Sequence, residues 1–254
     1  MKKSIVILFA VVALFSMAQV AGAYDGQLIL GSSYGPYETN NGGEFTFQVT
    51  GGLMPLVNSY ALTTHNLSLT YTLGTPNFQT FCLEKNEYIS APGTYNATLN
   101  LNGDAVHGGS NLGTVGSDGG DPISKGTAFL YEQFAMGALA GHYDYTTDGG
   151  RPASAAELQN AIWYLEDEPG GSLSTYYANL LSTQFGSVDP KSNNTVGGFG
   201  VWALNLYDAN NYNAVAQDQL IWDGSGSSVP EPGSMLLLGF GLLGLFGVAR
   251  RRVK

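Results

Sequence analysis

The chain predicts an α+β fold, a β-sandwich-like body carrying a helical insertion. Charged residues make up only 12% of the 254 residues, while glycine alone contributes 35. Together with abundant Asn, Ser and Thr, that profile favours β-structure with many turns over a helical bundle. The second observation is a change of period. Segments before residue 100 alternate apolar and polar residues, whereas 127–183 carries apolar residues at helical spacing. Alternation returns after residue 200, so the helices read as an insertion between strands. No internal repeat is present.

Taken in order, residues 1–23 read as a secretory signal peptide. Lys2 and Lys3 form the basic start, Ile5 to Phe15 the apolar core, and Ala21-Gly22-Ala23 the small-residue cleavage site. Residues 24–223 then form one exported domain, long enough for a real core. Glu44 to Val49, Leu67 to Tyr71 and Thr94 to Leu99 alternate as half-buried strands do, and Gln79 to Tyr88 is expected to hold a further strand. Asn41-Gly42-Gly43, Gly51-Gly52 and Pro92-Gly93 supply the turns between them. Residues 102–121, rich in Gly and Asp, read as a long loop.

Thr127 to Ala140 predicts the first helix. Ser154-Ala155-Ala156-Glu157 has the form of a capping box opening a second helix to Leu165, with Leu158, Ile162 and Leu165 as its apolar stripe. Gln159 lies beside that stripe, one turn before Trp163. Pro169 stops the helix, and Glu166-Asp167-Glu168 at its end is expected to be a solvated cluster. A third helix is expected from Ser174 to Thr183, then closing strands at Val201–Tyr207 and Gln219–Trp222. Residues 224–228 read as a flexible linker.

The tail, residues 229–254, has three parts. Pro230-Glu231-Pro232 precedes an apolar run from Met235 to Ala249, and Arg250-Arg251-Arg252 with Lys254 follows. The run is marginal for a membrane span, which needs about 17–25 apolar residues, and glycines interrupt it. The arginines would hold the end on the cytoplasmic side. This arrangement resembles the PEP-CTERM sorting signal of exosortase substrates in Gram-negative bacteria. The resemblance implies exosortase-type machinery as a partner, transient inner-membrane anchoring through 235–249, processing near Pro-Glu-Pro, and release to the cell surface or matrix.

Six of the ten basic residues lie in the two end segments. Residues 24–229 keep Lys85, Lys125, Arg151 and Lys191 against nineteen carboxylates. Such a body repels nucleic acid and anionic lipid surfaces. It also carries few amines of its own that an electrophile could acylate.

Chemistry centres on the single cysteine, Cys82, in Phe81-Cys82-Leu83-Glu84, and on Gln159, which opens Gln159-Asn160-Ala161-Ile162-Trp163. One thiol in an exported chain makes no intramolecular disulfide. Attack of a thiol on a glutamine carboxamide, with loss of ammonia, gives an internal thioester. The two segments resemble those of bacterial thioester-domain adhesins, in which an aromatic or aliphatic residue precedes the cysteine and a Gln-x-Ala-Ile-Trp stretch carries the glutamine. The resemblance implies that Cys82 and Gln159 are thioester partners and that an extracellular ligand bearing an amine or hydroxyl is captured covalently, once. Such a chain is a single-use acylating reagent and not a turnover enzyme. Phe81 and Trp163, with Phe78, Tyr88 and Tyr164 nearby in sequence, are candidate walls against water. His65, His107 and His142 are candidate bases.

Other readings stay open. Cys82 is also read, as the runner-up, as an inert buried thiol in a structural matrix or biofilm protein, and after that as the link in a disulfide dimer. A hydrolase would need two facing carboxylates that sequence alone does not pair. Conventional catalytic motifs are absent. Asp118-Gly119-Gly120-Asp121 lacks the ligand spacing of a Ca²⁺ loop and reads as a turn. No metal and no cofactor is expected.

Overall fold

A computed structural model of the chain describes residues 25–31, 37–38, 42–57, 77–100, 103–106, 120–146, 149–209 and 211–224. The expected strand at Leu67–Tyr71, most of the 102–121 loop, the signal peptide, the linker beyond Gly224 and the sorting tail lie outside them. Among the described residues no helix is long and apolar enough to cross a membrane.

Helices and strands are mixed, as the composition predicts. In place of two stacked sheets, however, seven strands form one curled antiparallel sheet. These are β1 (Asp25–Leu30), β2 (Tyr37–Glu38), β3 (Gly43–Gly51), β4 (Asn77–Thr80), β5 (Gly93–Asn100), β8 (Val201–Asp208) and β9 (Asn211–Trp222). The order runs β2-β3-β1-β5-β8-β9, with β4 also paired to β3. Two short strands, β6 (Asp104–Ala105) and β7 (Asp121–Pro122), make a separate ribbon. The register aligns one apolar face. Leu28 stands opposite both Val49 and Tyr95, Phe47 opposite Phe78, Ala97 opposite Leu206 and Leu99 opposite Leu204.

The curl brings the two ends of the sheet together. Beyond Thr80 the chain leaves β3 and runs along β9. Leu220 N–H donates to Phe81 O at 3.2 Å, Leu83 N–H to Asp218 O at 3.0 Å, and Thr80 Oγ1 to Leu220 O at 2.6 Å. Cys82 bridges Gln219 at the centre of this seam. Closing the seam satisfies backbone groups that an open edge would leave exposed. The expected strand over Gln79–Tyr88 is thus divided: only its start pairs with β3, and its middle seals the seam.

Three α-helices follow the first seven strands: α1 (Lys125–Ala135), α2 (Arg151–Leu165) and α3 (Thr175–Phe185). Ser124 caps α1 through Thr127 N–H, and Ser174 caps α3 through Tyr177 N–H. α2 begins four residues earlier than its sequence suggests. Its N-cap is Gly150, Pro152 sits in its first turn, and Ser154 lies inside the helix. Ser154 Oγ instead accepts from Asp144 N–H at 3.0 Å, tying α2 to the preceding loop. The Ser-x-x-Glu pattern is therefore no capping box here; Pro152 pre-sets the helical φ at the true start.

α2 packs on β2 and β3, and α1 lies against α2, β8 and β9. That cover explains why β3 is buried on both faces over Gly43–Phe47 and not half-exposed as its alternation suggests. Its polar residues Glu44 and Thr46 face the helical layer instead of water, and both are 0% exposed.

Candidate functional site

The seam, β3 and α2 converge on two residues 77 apart in sequence. Gln159 occupies the middle of α2 and is 1% exposed; Cys82 is 0% exposed. The Gln159 carboxamide is gripped at both ends. Its Oε1 accepts from Cys82 N–H at 3.0 Å and from Gly43 N–H at 3.2 Å. Its Nε2 donates to Cys82 O at 2.8 Å. The amide therefore spans from the helix to the cysteine backbone, with two N–H donors aimed at its oxygen.

Local sequence explains the close approach. Gly42 and Gly43 have φ of +155° and +146°, conformations reserved for glycine. A Cβ on Gly42 would meet Trp163 Cζ2 at 2.6 Å and Gln159 Cγ at 3.2 Å. The Gly-Gly pair thus lays bare backbone across Gln159 and Trp163. Sequence reasoning takes these glycines for a turn only; their positive φ shows only in the structure.

The sulfur has a partner of its own. Gln219 Nε2 donates to Cys82 Sγ at 3.5 Å and to Gln217 O at 3.1 Å. Gln219 was not marked by any motif. Its role follows from the seam pairing, which no local pattern reveals.

Around this centre the walls are apolar. Phe81 is fully buried, edge-on to Phe134 with ring centroids 5.0 Å apart. Trp163 is 4% exposed, with the Lys85 ammonium 5.0 Å above its ring. Phe78 is buried against Phe47. The other two expected walls fail. Tyr88 is 72% exposed and lines an open groove of about 670 Å³ at the far ends of β1, β5 and β8. Tyr164 is 39% exposed and carries the Lys191 ammonium over its ring.

Of the candidate bases, His65 and His107 lie outside the described residues. His142 is stacked on Tyr176 at 3.6 Å and bonded to Glu157 at 3.0 Å, engaged at the α2–α3 side of the molecule.

Buried carboxyls are a feature the sequence reading missed. Glu166 and Glu168, expected in solvent, are each 5% exposed. Glu166 accepts from Ser124 N–H at 3.1 Å; burial, aided by Asp121, pushes it up to about 7. Glu168 accepts from Lys85 N–H at 3.2 Å, fixing the seam strand to the end of α2. Burial and the nearby Glu168 raise Glu87 to about 7. Glu84 and Asp218 face one another across the seam. Asp218 receives Val106 N–H, Leu206 N–H and Asn205 Nδ2 at 2.7–2.9 Å. Burial and the charge of Asp218 hold Glu84 well above the carboxylate range. Burial likewise holds Asp218 well above its ordinary range, against the pull of its three donors.

Among the described residues no group of three or more His, Cys, Asp or Glu side chains is placed to hold a metal. At the seam, the Gln159 carboxamide oxygen faces two backbone donors. A nucleophile reaching the Gln159 carbonyl carbon would push charge onto Oε1, where the Cys82 and Gly43 N–H groups already point.

Comparison with known proteins identifies the tail. Residues 228–252 match the PEP-CTERM protein-sorting motif. The chain accordingly carries the signal of an exported surface protein sorted by exosortase, and exosortase-type machinery is its implied partner. The motif takes in Pro230, Glu231, Pro232, Arg250, Arg251 and Arg252. No curated protein and no solved structure matches the chain.

Proposed function

We propose that the exported domain is a covalent binding module that stores an internal Cys82–Gln159 thioester and spends it on a nucleophilic ligand at the cell surface or in the matrix. The observation that carries this reading is the grip on the Gln159 carboxamide, with Cys82 N–H and Gly43 N–H on its oxygen and Cys82 O on its nitrogen.

The step balances as follows. Cys82 Sγ bonds to the Gln159 side-chain carbonyl carbon, and the two N–H groups hold the oxyanion. The carbon–nitrogen bond then breaks. Ammonia leaves with the thiol proton, and a thioester remains. A ligand amine next attacks the same carbon, the carbon–sulfur bond breaks, an amide forms and the Cys82 thiol is regenerated. Burial of Cys82, Gln159, Phe81 and Trp163 excludes the water that would hydrolyse the bond in the interval.

The test is treatment of purified mature protein with methylamine. Adduct formation with release of one titratable thiol per chain supports the reading; an unchanged mass refutes it. A second reading, an inert structural matrix component, is favoured by the same full burial and by the completeness of the Gln159 hydrogen bonds. It predicts the unchanged mass.

A further inference from the structure

We infer that the buried Arg151–Glu44 ion pair is a positioning device that sets Gln159 against the Cys82 and Gly43 N–H groups, an inference that rests on the thioester reading. Of the four basic side chains in residues 24–229, Arg151 is the one that is buried. It is 1% exposed, and Glu44 is 0% exposed.

The pair is fully built. Arg151 Nε donates to Glu44 Oε2 at 2.8 Å, and Nη2 donates to Glu44 Oε1. Nη1 donates to Tyr145 O at 2.8 Å, and the guanidinium lies 4.5 Å from the Tyr37 ring centre. Tyr143 Oη donates to Glu44 Oε2 at 2.6 Å. Three chain segments besides α2 therefore converge on one guanidinium.

Stability does not account for such a pair. Two charges taken from water cost about what their attraction returns, and an apolar pair of equal volume does as well or better. What the apolar pair lacks is direction. A bidentate fork fixes both distance and angle. α2 needs that, because its buried residues, among them Arg151, Ala155, Gln159, Ala161, Trp163 and Leu165, spread widely around the helix. At about 100° per residue they cover roughly 200° of its circumference, so packing alone leaves its rotation loosely set.

The placement matches the need. Glu44 is the residue after Gly43, whose N–H holds Gln159 Oε1. Arg151 opens the helix that carries Gln159 two turns later, about 12 Å along the axis. The strand that supplies one oxyanion donor thus also sets where the acyl-donor helix begins and how it is turned.

The experiment starts from full chain recovered unfolded from inclusion bodies at its full sequence mass, refolds it and follows ammonia loss by intact mass, with thermal unfolding recorded in parallel. Wild type should lose one ammonia per chain. The double variant E44L/R151M should fold with a similar midpoint yet lose ammonia about 100-fold more slowly, the usual cost of a misplacement near 1 Å. R151K keeps the charge without the fork and should also be slow while remaining folded; it decides the matter if the double variant does not fold. Folded variants that lose ammonia at the wild-type rate overturn the inference. Absence of ammonia loss in wild type overturns the thioester reading itself, and the inference with it.

Discussion

Replacing Gly42 by alanine tests the closest approach in the site. The new Cβ would lie 2.6 and 2.8 Å from Trp163 Cζ2 and Cη2 and 3.2 Å from Gln159 Cγ. Two costs add. A non-glycine residue at φ +155° stores about 1–3 kcal/mol of backbone strain. Overpacking against an indole that is itself buried costs about 1–3 kcal/mol more. Restricting the unfolded chain returns about 0.4–1 kcal/mol. A net loss of about 3 kcal/mol, with a urea dependence of about 2 kcal/mol/M, lowers the unfolding midpoint by about 1.5 M. Gly141→Ala is the control: φ there is +97°, but nothing lies within 4 Å of the added Cβ. It should lose only the strain component, about 0.5 M on the same scale. Equal shifts for the two variants would refute the argument that bare backbone is needed over Trp163 and Gln159. Ammonia loss at the wild-type rate in Gly42→Ala would refute it for the chemistry as well.

Four further outcomes are expected. Glu87 and Glu166 bind their protons more tightly folded than unfolded, so the stability they contribute is complete below pH 4.5 and lost as the pH rises through about 7; thermal midpoints should fall between pH 5 and pH 8, and Glu166→Gln should flatten part of that slope. Trp163→Ala should let water reach the acyl carbon, leaving a titratable thiol and a carboxylate in place of the Gln159 carboxamide, as read by peptide mass. Opening the thioester with methylamine frees a loop of roughly eighty residues, worth up to about 4 kcal/mol in the chain-entropy account, and should lower the thermal midpoint by about 10 °C. Changing Pro230-Glu231-Pro232 to alanines should retain full-length chain in the membrane fraction on immunoblots, whereas wild type should be processed near Val229.

Much of the architecture is legible locally. β3, β5, α1, α3 and β8 are legible from period, although α1 spans Lys125–Ala135 and stops short of the expected Ala140, where Gly137 takes a φ of +72°. The start of α2 is not, since Ser154 is recruited by Asp144 N–H and Pro152 takes over the helix start. The seam is invisible to any local pattern: Cys82 meets Gln219 across 137 residues, and only the curl of the sheet brings them together. The same closure buries Glu84, and the α2–α1 packing buries Glu166. Their hydrophilic sequence context points outward, but tertiary cover decides. Cys82 and Gln159 could be singled out from sequence because both stand in recognisable surroundings. Gly43 and Gln219, which complete the geometry, stand in none.

The most direct measurement is the intact mass of the mature protein with a thiol titration of the unfolded chain. The thioester account predicts a mass one ammonia below that of the sequence and no titratable thiol, with Cys82→Ala restoring the full mass. Full sequence mass with one freely titratable thiol per chain would contradict it.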